Sequence, residues 1–160
     1  MSACIIPVAP DFQDPPSDPE SAPVFSTTTP AMATLVTVLA LPNQQTFSAP
    51  VSDTQLGVAL NYRWALDYPP FSSDVTRAEQ VAQILPPSDG QPITNYPIPF
   101  TLDCTIAPAS SSSTHKLILI VADRPFVFNP DPNHYLDTIA DPTGHVVYGF
   151  WPVVMNCPVE

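Results

Sequence analysis

Leu56-Gly57-Val58-Ala59-Leu60-Asn61-Tyr62-Arg63-Trp64-Ala65-Leu66 is the stretch on which the reading of this chain turns. Leu56, Val58, Leu60, Tyr62, Trp64 and Leu66 share one parity; Gln55, Gly57, Ala59, Asn61, Arg63, Ala65 and Asp67 share the other. Apolar side chains at every second position are the mark of a β-strand with one face on a core and one toward water. Trp64 is the largest side chain of the apolar set, so neighbouring strands are expected to pack around it.

Working outward, the same period recurs. Phe100, Leu102, Cys104 and Ile106 alternate with polar residues, and Val147, Trp151, Val153, Met155 and Cys157 share a parity in Val146–Cys157. Lys116–Ala122 is a dense apolar run, expected at the centre of a sheet. Thr34–Leu41 is β-branched and apolar on both parities, as in a strand covered on both faces, and Thr46–Val51 reads as a short strand. Ser73–Leu85 changes period: Val75, Ala78, Val81, Ala82 and Leu85 fall on one helical face before Pro86-Pro87, which predicts one short helix. Short strands divided by turn residues point to an all-β sandwich.

Composition narrows the function classes. The chain of 160 residues holds 23 prolines and 4 glycines, which disfavours long helices. With 4 basic against 15 acidic residues the formal charge is −11. Nucleic acid is therefore not an expected partner, since phosphate binding needs clustered Lys and Arg. Anionic lipid headgroups offer no attraction for the same reason. Residues 1–32 stand apart: Asp11, Asp14, Asp18 and Glu20 alternate with prolines and there is no apolar face. This predicts an extended, polyproline-like stalk, with Val24 and Phe25 docking its end onto a body at 33–160.

Catalysis finds little support. His115, His134 and His145 are the only histidines, and there is no nucleophile elbow, Walker sequence, paired Cys-x-x-Cys or His-x-x-x-His. No enzyme activity, cofactor or metal is expected. Asn129, Asp131, Asn133 and Asp137 offer alternating oxygens suited to calcium, but His134 stands where an EF-hand needs glycine. Tyr135, Tyr148, Phe150 and Trp151 could form a sugar platform, although core packing explains them more simply. In the long loop, Phe126 and Phe128, with Tyr135, are the candidate interaction patch.

Three cysteines remain. Cys104 and Cys157 both share parity with inward residues, so a disulfide between them closes about 50 residues and contributes roughly 4 kcal/mol in the chain-entropy account; two separate buried thiols are the other reading. Ser2-Ala3-Cys4 has the small-small-Cys form of the end of a bacterial lipobox, and a Pro-rich stalk follows. In this the sequence resembles a processed bacterial lipoprotein. The resemblance implies lipidation at Cys4, Met1 in place of a removed signal peptide, and, with Ile5 rather than aspartate after the cysteine, the outer membrane. Asn61-Tyr62-Arg63-Trp64, the Leu117–Asp123 run and Trp151 look like an immunoglobulin-like or PKD-like sandwich, although Cys104 follows Trp64, whereas antibody-type domains place one cysteine before the tryptophan. The function so implied is a non-catalytic, lipid-anchored, extracytoplasmic interaction subunit that binds envelope proteins. The other expectations are a carbohydrate- or calcium-binding module, or a non-anchored structural protein of a particle or filament.

Overall fold

A computed structural model describes residues 21–39, 44–67, 77–104, 114–127 and 139–156, the side chains of 77–79 excepted. Ten strands form and no helix occurs among these residues. They are β1 (Val24–Phe25), β2 (Val36–Leu39), β3 (Gln45–Ser48), β4 (Val51–Asp53), β5 (Leu60–Leu66), β6 (Arg77–Ile84), β7 (Ile93–Tyr96), β8 (Pro99–Leu102), β9 (Thr114–Ala122) and β10 (Val146–Asn156).

The larger sheet runs β2-β10-β9-β5-β6. Its pairs are antiparallel except β2 with β10, which is parallel. Opposite it, β1-β4-β7 and β3-β8 are separate ladders with Pro50 and Pro97 at the break, because proline has no N–H to give. Ala49 and Ile98 exchange backbone hydrogen bonds of 3.3 Å across the gap, so β3–β4 and β7–β8 run on as one bent pair.

The inner faces meet in one core. Phe47 on β3 and Phe100 on β8 interlock with Trp64 on β5 and Trp151 on β10; ring centroids lie 5.1 Å apart for Trp64–Phe100, 5.4 Å for Trp64–Trp151 and 5.6 Å for Phe47–Trp151. All four side chains are buried, with Leu60, Leu66, Leu117, Leu119, Val121, Val153 and Met155 around them. The alternation from Leu60 onward thus places its apolar set inward, with Trp64 at the centre.

Several expectations are corrected. Ser73–Leu85 holds no helix over its described part; Arg77–Ile84 is an edge strand paired antiparallel with β5. Ala, Arg, Glu and Gln are good helix formers, and Val81 and Ala82 fit a helical stripe. Pairing with β5 gives more: Ile84 enters the core opposite Leu60, whereas Val81 and Leu85 point outward at 60% and 71% exposure. Gln80 Nε2 donates to Tyr62 Oη at 3.1 Å, tying the edge to its neighbour. Strand β5 also starts later than the alternation predicts. Gly57 has φ +72°, so the chain turns there; Leu56 is 66% exposed and Gln55, of the opposite parity, is buried. Strand β2 buries one face only, because it lies at the sheet edge.

The described part of the N-terminal segment is built into the body. Val24 and Phe25 pair with Ser52 and Val51, and Thr29 bridges Ser48. The chain then crosses to the other sheet: Trp151 Nε1 donates to Pro30 O at 2.8 Å and Ala33 N to Phe150 O at 3.0 Å.

Candidate functional site

Two features stand out, a buried polar cluster at one pole and the outer face of the five-stranded sheet. The polar pole is where β4, β9 and the start of β10 converge. Asp53 ends β4, Asp123 follows β9, and both are only 2% exposed. Charged groups persist in such places only when hydrogen-bonded. Asp123 Oδ1 accepts from His145 N at 2.8 Å, and its Oδ2 lies 3.1 Å from both His145 Nδ1 and Gln55 Nε2. Gln55 Nε2 also donates to Ser21 O at 3.2 Å, and Ser21 Oγ bonds Thr54 Oγ1. Gln55 is therefore buried because it clasps the N-terminal segment to the end of the central strand.

Asp53 is less well served. Its Oδ1 accepts from Gln55 N at 2.9 Å, while Oδ2 is buried with no hydrogen-bond partner among the described residues. Burial pushes its carboxyl above the ordinary carboxylate value, and the nearby Asp123 pushes the same way against the opposing pull of the Gln55 amide. Asp141 goes the other way: bonds from Thr143 N and Oγ1, at 2.9 and 2.8 Å, lower its carboxyl. Arg124 links the two levels, lying 3.4 Å from Asp141 Oδ2 and 3.9 Å from Asp123 Oδ1. Gly144 admits this close approach, because a Cβ there would meet Arg124 Cγ and stand 2.8 Å from Asp123 Oδ1 and Ile139 Cδ1.

Chemically the pole is a clasp. Asp123 and His145 are in contact, yet no serine, threonine or cysteine bonds to His145 among the described residues. Nor is any group of three or more His, Cys, Asp or Glu among those residues arranged to hold a metal ion. His115 forms a second carboxylate pair at the opposite pole, with Nδ1 2.7 Å from Asp67 Oδ2. Asp67 sits at φ +60°, accepts from Lys116 N and donates to Lys116 O, which closes β5 against β9.

The outer face of the large sheet is unusually apolar. Across one row lie Val81, Arg63, Ile120 and Tyr148, and across the next Ala65, Ile118 and Phe150. Phe126 packs on Ala65, Ile118 and Ile120, with the Arg63 guanidinium 4.3 Å from its ring centroid. Tyr148 and Phe150 remain 48% and 45% exposed, and Lys116 Nζ lies 5.6 Å from the Phe150 centroid.

Of the residues singled out by sequence, Phe126 is half-buried against this face and bridged to Ile139. Phe128 and Tyr135 lie outside the described residues, as do Cys4, Cys157 and the Asn129–Asp137 oxygens. Trp151 is in the core, so it shares no platform with Tyr148 and Phe150, which point the other way along β10. Cys104 is disulfide-bonded. It follows β8 at the pole where β10 ends at Asn156. Sequence reasoning missed Asp53, Gln55 and Asp123 as a cluster; the one available signal was an aspartate closing a run of apolar residues at Asp123. No protein-family model, curated protein or solved structure matches the chain.

Proposed function

We propose that the chain is a non-catalytic, lipid-anchored, extracytoplasmic domain of immunoglobulin-like type, an accessory interaction subunit of a bacterial envelope assembly. The observation that carries this reading is the disulfide at Cys104. Stable disulfides belong to oxidising compartments, which for a bacterium lie outside the cytoplasm. Its partner is taken to be Cys157, one residue beyond Asn156, because Leu39, Gln45, Leu102 and Asn156 all end at that pole. Cys4 is then the sulfur left for lipid, in the Ser2-Ala3-Cys4 setting of a lipobox.

The immunoglobulin-like assignment draws support from strand order. β6-β5-β9-β10 follows the C′-C-F-G order, with Trp64 on the strand equivalent to C, and β3–β4 against β7–β8 follows B against E. Two acyl chains or more on Cys4 hold a protein stably where a single chain holds it marginally. An acidic body needs such an anchor, having no attraction for anionic headgroups.

The test is metabolic labelling with palmitate of cells carrying the full gene, wild type against Cys4→Ala. Label on the wild type alone supports the anchor. An unlabelled, soluble wild type sinks it.

A further inference from the structure

We propose that the outer edge of strand β6 pairs antiparallel with the same edge of a second copy of this chain, joining two five-stranded sheets into one about a two-fold axis at Ala82.

The direction of the backbone groups comes first. Asp67 N donates to Lys116 O at 2.7 Å, so Asp67 and the alternate residues Ala65, Arg63 and Asn61 turn their N–H and C=O toward β9. Leu60, Tyr62 and Trp64 therefore turn theirs toward β6, where Ile84, Ala82 and Gln80 stand opposite. That leaves Val81 and Gln83 with both backbone groups aimed away from the sheet, at its edge. Both residues are exposed, and among the described residues no strand lies beyond them. Such an edge is a template for a further strand unless it is guarded.

Other edges are short or guarded. β1 has two residues and β2 four; β7 carries Asn95 at φ +46° and is followed by Pro97, and β8 opens on Pro99. Gln80–Ile84 holds no charge, no proline and no positive φ.

The edge also fits its own image. The bulge opposite Trp64 and Ala65 interrupts the ladder before Gln80, so the regular part of β6 is centred on Ala82. Pairing that part with itself sets Val81 opposite Gln83 of the second copy, and Gln83 opposite its Val81. These are the residues whose backbone groups face outward, and each pair exchanges both hydrogen bonds. Ala82 meets Ala82 on the axis at a non-hydrogen-bonded site, where Cα atoms approach to about 4.5 Å and a methyl group fits. Val81, 60% exposed, gains the Gln83 side chain as cover. Each chain carries −11, yet this seam sets no like charges opposite one another. The seam uses neither the lipid nor the disulfide, so it stands or falls apart from the anchor.

The test is sedimentation equilibrium of full-length, unlipidated protein over micromolar to millimolar concentrations. A monomer–dimer equilibrium is expected, tighter at about 1 M salt, which screens the repulsion between two acidic chains. Val81→Pro removes an outward N–H that takes no part in the β5 ladder, so the monomer keeps its thermal midpoint. By symmetry the seam loses a hydrogen bond twice, and association falls about tenfold or more. Position-specific oxidation supplies a second measurement that needs no proline. In a Cys4→Ser background, oxidised glutathione is expected to link two copies of Ala82→Cys, whose Cα spacing of about 4.5 Å lies within disulfide reach. Val81→Cys is not linked, because position 81 lies about 7–8 Å from its own image. A wild type that stays monomeric throughout overturns the proposal. A dimer that Val81→Pro leaves intact overturns it too, and assigns association to the outer face of the sheet. Linkage at position 81 in place of 82 has the same force.

Discussion

The two core tryptophans differ in one atom's surroundings, and that difference is measurable. Trp64 and Trp151 are both fully buried, with ring centroids 5.4 Å apart. Trp151 Nε1 donates to Pro30 O at 2.8 Å, whereas Trp64 Nε1 is buried with no partner among the described residues. Replacing either by phenylalanine removes a similar volume from the same core, so the cavity cost, about 2–3 kcal/mol, is nearly common to both. The indole N–H then separates them. Trp151→Phe additionally loses a hydrogen bond worth about 1 kcal/mol net, while Trp64→Phe removes an unsatisfied donor whose burial costs about 1–3 kcal/mol. Trp151→Phe is thus expected to be more destabilising by about 2–4 kcal/mol. Urea unfolding followed by far-UV circular dichroism reads this without relying on indole fluorescence. Equal losses, or a larger loss for Trp64→Phe, refute the assignment of the two N–H groups. Trp151→Phe is also expected to loosen the crossing at Pro30, with faster proteolysis before Ala33.

Asp53→Asn is expected to raise stability at neutral pH and flatten its pH dependence. The fold raises the Asp53 carboxyl above 3.8, so the native state binds more protons than the unfolded chain between those two values. Stability from this group therefore rises as pH falls through the folded value, is complete below 3.8, and is absent in the asparagine variant. Urea midpoints across pH that move in parallel for both proteins contradict it. Gly144→Ala is expected to cost about 1–3 kcal/mol through overpacking at Asp123 and Arg124, read by thermal melting. Peptide mapping of unreduced protein should return Cys104 joined to Cys157, and Cys104→Ser should cost up to roughly 4 kcal/mol in the chain-entropy account. Cys104 joined to Cys4 instead removes the free sulfur on which the lipid proposal depends.

Which elements were legible depends on where their driving force lies. The Trp64 strand and the final strand carry their own period-two signal because each buries one face, and Lys116–Ala122 reads as central because Leu117–Ala122 is apolar and buried on both parities. Strand β6 carries none: its described outward residues include Val81 and its inward ones Gln80, Ala82 and Ile84, and only the pairing with β5 orders them. Local propensity then reads helix, and tertiary pairing overrides it. Strand β7 hides for a similar reason, since Ile93 alone is buried while Thr94, Asn95 and Tyr96 face water and Pro97 follows. The polar clasp is less legible still. Gln55 and Asp123 are 68 residues apart; the apolar run before Asp123 is the one local hint, and nothing local marks Gln55 as buried. Gly57 displaced the apparent start of β5 because its left-handed backbone, absent from any hydropathy pattern, ends the alternation there.

The central strand points past the monomer. Sheets apolar on both faces ordinarily sit between layers of helices, which cover the second face. Here no helix is present among the described residues, yet Ala65, Ile118 and Ile120 on the outer side are buried. Phe126 supplies part of that cover and Arg63 lies across it, but the apolar ground continues onto β10 as Tyr148 and Phe150, about half exposed. Exposed aromatics continuous with buried apolar ground mark this face as a surface on which another apolar surface packs.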